Sequence, residues 1–490
     1  MKNKLLYIFF LLMLTGTGCQ KYLDVQPKNQ RALSSVTDVK AALAGYLKVL
    51  TPGNSVNYHN TLGNVQFFMP AYWSYFEFSS DNIDFQQDYT TYLDASGSGN
   101  TDEARLILKN DFSRPTNIWV QHYKCIGFLN VLLDALNNAT GDEIEKAQIR
   151  NEMLIERSIY YFKLLEYFAP YKNAEMGIPV YTGVQGPFAG LANPRRTQKE
   201  VFDFILGDLL EVAGSPADPD PNYNLLYNKM YVNNQLAQVY WYKAESGASE
   251  SSDYTNARKY ATLALTDVVL PATKDDYISS LNGTFANYPA FQHYEPNYSG
   301  VFSELTYGQP YGSLPFTPHC SPDLLAIFSP DDYRYQALIQ PDNTVVRPMT
   351  QWPYDYTAAY TLFRPEEAYL INIEATLKEP SGGSSGDALI LLNAFRRMRG
   401  VNTDFSGTDL NQEIVDERRR EFCFHTDYRW VDMKRYGIGS SLTNLQIFGK
   451  SFDVVMQPNG YQYALPVPVD EELKLNPAMT PNPDWNEIIF

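Results

Sequence analysis

The chain is short of what most catalytic and nucleic-acid-binding sequences need. Basic residues are outnumbered, 39 Lys and Arg against 56 Asp and Glu, for a formal charge of −17. That excess argues against nucleic acid, whose phosphates call for basic patches, and favours a body that resists self-association. Only four cysteines occur, Cys19, Cys125, Cys320 and Cys423, and none stand at CxxC spacing. Zinc and thioredoxin signatures are therefore missing; with Cys19 used elsewhere, the other three are expected as buried free thiols. Five histidines, with no HExxH, no GxSxG and no phosphate-binding glycine loop, leave no hydrolase or nucleotide motif. No stretch reaches 18 apolar residues, so no spanning helix is expected.

What the chain has in quantity is tyrosine. Its 37 tyrosines raise the aromatic content to 14%. Each offers a flat apolar face and a hydroxyl on one stiff side chain, suited to a core and to an exposed stacking platform alike. With 44% hydrophobic and 19% charged residues the composition is that of an ordinary folded protein. A length of 490 residues suggests about three domains at roughly 150 residues each, unless helical repeats extend one unit without a second core.

Lys2 and Lys4 precede an apolar run, Leu5 to Leu14, and Gly16, Thr17 and Gly18 lead into Cys19. The run is too short to span a bilayer and fits a secretory signal. The small residues before Cys19 resemble a bacterial lipobox, with Gly16 where leucine is usual. Residues 1–18 are expected to be removed and Cys19 to carry the lipid. The polar stretch 19–34 reads as a tether.

Helical periodicity follows in 35–50, with Ser35 or Thr37 as cap, and again from Trp119 through Tyr123, Ile126, Asn130 and Leu133. It returns at 142–169 and in EVFDFILGDLLEVA, and GIPVYTG stops the former. Residues 228–267 read as a helix pair, with Ala237 facing Ala257, Ala261 and Ala264. Residues 365–399 repeat the pattern through Glu374, Ala375, Ala388, Leu392 and Phe395. Small residues at this spacing resemble degenerate tetratricopeptide repeats. Residues 53–115 and 270–363 are rich in Pro, Gly, Asn and aromatics with little helical period. The second is expected as an ordered loop region packed over the repeats.

Two charged stretches are candidate sites. SSDNIDFQQD places Asp81, Asp84 and Asp88 at calcium-loop-like spacing, but lacks the loop's glycine and closing glutamate, so a solvated turn is expected. IVDERRREFCFHTDYRWVDMKRYG is expected to form a salt-bridged helix on the core, with Glu417, Arg418 and Glu421, and Asp432 and Arg435, paired at about one helical turn.

Taken in order, several segments resemble the SusD/RagB family of nutrient-binding lipoproteins. WVQHYKCIGFLN is similar to its W-x3-Y-x2-I-x3-N helix. Glu152, Arg157 and Pro179 fit the next segment, and Arg196, Glu200, Val201, Asp208 and Leu209 the R-x3-E-V stretch. Arg364, Glu367, Tyr369 and Glu374 match R-x2-E-x-YL-x3-EA, and Asn393, Arg396, Arg399 and Gly400 the LN-x2-R-x-RxG run. Glu417, Arg418, Glu421, Arg429, Trp430, Asp432 and Arg435 follow, then LPVPVDEELKLNP. His425–Thr426–Asp427 replaces the family's Glu-Gly, and Asp484–Trp485 its final Gly-Tyr.

The resemblance implies a mainly α fold of about four tetratricopeptide-like helix pairs beneath a loop-rich ligand face. On this reading 35–490 is one SusD-like domain, with repeats near 35–50, 116–268 and 364–400, loop regions 53–115 and 270–363, and a C-terminal segment 411–490. It implies a lipoprotein on the outer-membrane surface that binds a glycan and hands it to a TonB-dependent transporter, without catalysis, metal or cofactor. Family ligand residues vary, so candidates are chosen by composition, since sugar rings stack on aromatics and their hydroxyls bond to amides and carboxylates. They are Trp73, Tyr75, Asp81, Asn82 and Tyr89 in the first loop region. In the second they are Tyr288, Tyr294, Asn297, Tyr298, Tyr307, Tyr311, Trp352, Tyr354 and Tyr356, with Trp352 beside Pro353 foremost. Peptide capture on the same scaffold is the alternative; a repeat adaptor that binds only its transporter and a hydrolase are further readings.

Overall fold

The computed structural model describes residues 33–47, 73–85, 104–105, 107–183, 193–221, 223–224, 226–281, 291–296, 319–343, 357–425 and 427–486. Helix α1 (Val36–Leu47) is capped at Ser35, whose hydroxyl accepts from the Asp38 amide at 3.2 Å. Helix α2 (Trp73–Phe78) begins the described part of the first loop region. Helices α3 (Ser113–Asn138) and α4 (Glu143–Phe168) form the first long hairpin. Asp142 caps α4 by accepting from the Glu145 amide at 2.9 Å. Its neighbour Gly141 is required by packing: a Cβ there would meet the Val36 side chain at 2.7 Å. That closeness lets the chain before α1 bridge Thr140, through Val36 N donating to Thr140 O at 3.0 Å.

Helix α5 (Gln198–Ala213) opens with a Thr197–Glu200 capping box. Helices α6 (Lys229–Lys243) and α7 (Asp253–Ala264) follow as an antiparallel pair. Ala237, Ala257, Ala261 and Ala264 are all buried, so the small residues do let these helices close on one another. After α8 (Lys274–Leu281) come β1 (Phe291–Pro296), α9 (Pro322–Ile327), α10 (Tyr333–Leu338) and β2 (Thr357–Phe363). Helices α11 (Pro365–Lys378) and α12 (Ser385–Met398) form a further pair.

The packing order is α3–α4–α5–α6–α7–α11–α12, with α1 against α3 and α4. Helix α11 lies directly on α7, so the helix-pair packing continues from one to the other although they are far apart in sequence. This is the mainly α, tetratricopeptide-like architecture expected. Helices α13 (Leu410–Phe422) and α14 (Tyr428–Tyr436) close it, α13 against α11 and α12, and α14 against α2.

Two small antiparallel ladders accompany the helices. Strand β1 pairs with β2 from Phe291↔Phe363 to Pro296↔Thr357. Strands β3 (Ser440–Ile447) and β4 (Lys450–Met456) form a hairpin that the sequence reading did not assign. Its turn, Phe448–Gly449, has positive φ at both residues (52° and 71°), the geometry that matches strand twist. Leu445, Ile447, Val454 and Met456 bury one face of it in the main core. Cys125, Cys320 and Cys423 are buried free thiols, as expected; Cys19 lies outside the described residues.

Candidate functional site

The two loop-rich regions meet. Ile83 forms an isolated antiparallel bridge with Cys320. Asp84 N donates to His319 O at 2.9 Å, Ser321 N to Asn82 O at 2.8 Å, and Ser321 Oγ to Asp81 O at 2.7 Å. The joined segments rest on the charged C-terminal helices. Arg419 of α13 donates to Asn82 Oδ1 at 3.0 Å and Asp81 O at 2.8 Å. Arg429 of α14 holds both Asp81 carboxylate oxygens at 2.6 Å. Burial alone would raise the Asp81 carboxyl, but the Arg429 pairing outweighs it and the group sits below its usual range. Asn82 Nδ2 donates to Glu77 at 2.8 Å, and burial pushes that carboxyl up to about 7.

SSDNIDFQQD is thus no solvated turn through Asp84. Its partners are arginines more than 300 residues away in sequence, which no local pattern reveals. Among the described residues no group of three or more His, Cys, Asp and Glu is placed to hold a metal ion. Three candidate ligand residues are corrected with it. Tyr75 is 2% exposed and packs edge-on to Phe76, Asn82 is 0% exposed, and Asp81 is committed to Arg419 and Arg429. All three hold the loop face rather than line it. Trp73 begins α2, and Tyr294 stands opposite Ala359 in the β1–β2 ladder. Tyr89, Tyr288, Asn297, Tyr298, Tyr307, Tyr311, Trp352, Tyr354 and Tyr356 lie outside the described residues, as does Asp88.

The residues that carried the family resemblance build the frame. Arg157 of α4 donates to Asp208 of α5 at 2.9 and 2.8 Å, and to Asn130 of α3 at 2.8 Å, joining three segments in one buried triad. Glu152 accepts from the Leu226 and Tyr227 amides at 2.7 and 2.8 Å. In α13 and α14 the charges pair across the fold more than along a helix, which revises the local pairing expected there. Arg418 meets Asp432 at 3.0 Å, not Glu421. Glu421 receives Arg399, Arg334 and Arg364 at 2.8, 3.0 and 3.3 Å, and Glu417 receives Arg334 at 2.8 Å. Arg435 meets Glu374 of α11 at 2.9 Å and lies 3.8 Å from the Trp241 ring centroid, not on Asp432. Gly400 allows this closure: its φ is 87°, and a Cβ would strike the Tyr333 ring at 2.5 Å. The cavity inside the network, beside Glu166, Glu367, Arg418 and Asp427, holds only about 30 Å³, far too little for a nutrient.

A larger opening lies elsewhere. A cleft of about 550 Å³ lies between the loop after α4, the end of α14, the loop after β4 and residues 483–484. Its residues come from four separate segments, none with a motif, so the sequence offers no signal for it.

A superhelix of helix pairs, roofed by loop segments and tied by buried ion pairs, defines a helical-repeat binding scaffold. Residues 21–241 match a SusD-like family described as starch-binding associating with outer membrane, and residues 210–485 match the SusD family. The chain belongs to the SusD family. A putative sugar binding protein from Bacteroides vulgatus shares the fold at 19% identity, with 93% of this chain and 100% of that one covered and a TM-score of 0.68. A SusD-like carbohydrate binding protein from the same species is also 19% identical, over 91% and 97% of the chains, with a TM-score of 0.66. A SusD superfamily protein from Bacteroides fragilis is 17% identical, over 92% and 100%, with a TM-score of 0.66. No curated protein matches.

Proposed function

We infer that this protein is a lipid-anchored, non-catalytic capture protein of the outer-membrane surface. It binds a nutrient glycan and delivers it to a TonB-dependent transporter in that membrane. The observation that carries the reading is the SusD-family match, which runs through almost the whole chain and is joined by fold neighbours described as sugar- and carbohydrate-binding. The structure adds support of a physical kind. Among the described residues, Arg418, Glu421, Asp432 and Arg435 of α13 and α14 are engaged in internal ion pairs. The same pairs brace a surface whose adjoining segments are rich in Tyr, Trp and Asn. Cys19 after its apolar run would supply the anchor, since each buried acyl CH₂ contributes about 0.8 kcal/mol.

The test is affinity electrophoresis in gels loaded with individual polysaccharides, on protein lacking residues 1–18. Wild type is expected to be retarded by one glycan class. Trp352→Ala combined with Trp73→Ala should abolish the retardation while leaving the melting temperature near wild type. Retardation that survives both changes overturns the aromatic assignment. Absence of any glycan retardation, with capture of peptides from a digest instead, replaces glycan by peptide as cargo.

A further inference from the structure

We propose that the cleft at the end of α14 is a second sugar site, specific for an acidic sugar, with a hexuronate carboxylate drawn to Lys434 and the sugar ring set against Tyr461. Its volume of about 550 Å³ falls within the roughly 300–1,000 Å³ of small-molecule sites.

The argument begins with Lys434. Its side chain is 1% exposed, yet among the described residues it has no carboxylate within ion-pair distance; its ammonium donates to the carbonyl of Glu166. The reason for that one bond is local. Glu166 lies in the last turn of α4, and the residue four positions on is Pro170, which has no N–H to offer. Lys434 supplies the missing donor, over the Trp430 ring at 5.4 Å. Capping uses one of three N–H groups. A buried ammonium with no ion-pair contact is costly: burial pulls this one down to about 7, and the more distant Glu166 carboxylate offsets that only in part. A ligand carboxylate entering the cleft would provide the missing partner.

The rest of the lining suits a sugar. Tyr461 is half-buried and propped by Trp485, whose ring lies 5.3 Å away at 88° and whose Nε1 donates to Ala464 O at 2.8 Å. Tyr171 is buried against Tyr242, and Lys172, over its ring at 4.9 Å, adds an exposed cation at the cleft that a sugar carboxylate can also meet. Glu175 and Asp484 are exposed at the cleft. Carboxylates accept from hydroxyls and repel other carboxylates, so they favour a ligand that turns its hydroxyls to them and its acid group to Lys434. The site is separate from the loop face: Arg429, near the start of α14, grips Asp81, whereas Lys434 stands near its end.

Calorimetric titration with digalacturonate, on protein lacking residues 1–18, tests the proposal. Binding is expected to fall at least tenfold with Lys434→Met and with Tyr461→Ala, and to be absent for the dimethyl ester. Trp352→Ala should leave it unchanged, which separates this site from the loop-face reading. Should Lys434→Met fail to fold, Tyr461→Ala and Lys172→Ala decide, since both alter more exposed side chains. The proposal is overturned if the ester binds as well as the acid, or if Tyr461→Ala and Lys172→Ala bind like wild type. It is overturned equally by triglutamate binding as tightly as the sugar, or by Trp352→Ala removing the binding.

Discussion

The residues that announce the family do their work out of the solvent. Arg157 and Asp208 are each 9% exposed, and burial still lifts the Asp208 carboxyl above its usual range despite the arginine beside it. Such a pair contributes little net stability against well-packed apolar residues, but breaking it strands a charge. Because burial already disfavours the ionised carboxyl, Asp208→Asn should destabilise the fold by about 1–3 kcal/mol in urea unfolding, since Arg157 would keep Asn130 and lose the acid it pairs with among the described residues. Asp203→Asn, in the same helix and exposed, should cost less than about 1 kcal/mol. Equal effects would show that the Arg157 triad does not brace the first three long helices. The triad also explains why residue types were legible and roles were not. Trp119, Asn130, Arg157 and Asp208 are recognisable by order and spacing, but only the fold brings Asn130 and Asp208 to one guanidinium. Tyr75 and Asn82 misled for the converse reason: an aromatic and an amide in a polar stretch look alike whether they face water or Arg419.

At the scale of elements, helices with strong periodicity and clear caps were readable. Ser35, Asp142 and Thr197 each accept the amide hydrogen bond that a helix start requires. The β3–β4 hairpin was not, because its turn is Phe448–Gly449 rather than Asn-Gly or Asp-Gly, and Asn444 breaks the alternation at a bulge. The latch formed by Asp81 and Asn82 on Arg419 of α13 and Arg429 of α14 was invisible for want of any local signal. It makes a distinct prediction about local opening. Asp81→Ala removes the acceptor that Arg429 and Arg419 share, while the superhelix keeps its own contacts. Amide exchange of residues 79–84 and 319–321 should quicken at least tenfold, with α4–α6 unchanged. Uniform acceleration through all helices would mean that the latch belongs to the global unfolding unit, and no acceleration that Asp81 is dispensable to the loop face.

For the whole molecule, the fold class and the order of helix pairs were legible because close helix packing needs small residues at fixed spacing. The proposed ligand face was not, because loop segments carry no periodic pattern for the sequence to show. The molecule's charge arrangement has a pH signature. Glu417 and Glu421 are fully buried. Burial would lift both carboxyls, but Arg334, Arg399 and their neighbours outweigh it, holding Glu417 down to about 2 and Glu421 well below its usual 4.5. Arg435 does the same for Glu374. Groups depressed in the fold stabilise it above their unfolded value, and that contribution is lost as pH falls through the folded one. The loss belongs to the window from about pH 4.5 to about 2. Glu77, Glu156 and Glu166 run the other way, raised by burial to about 7, 8 and 7. Their stabilisation is complete below pH 4.5 and fades as pH rises towards those values, so they are flat across the acid window and cannot mask it. Urea midpoints should accordingly fall steeply from pH 4.5 to pH 2.5. In Glu421→Gln the neutral-pH midpoint should already be low, since three arginines lose a buried acid at a cost of about 3–5 kcal/mol, and the acid slope should be visibly shallower. A Glu421→Gln slope equal to wild type would place the acid sensitivity elsewhere than in the arginine network that closes the superhelix.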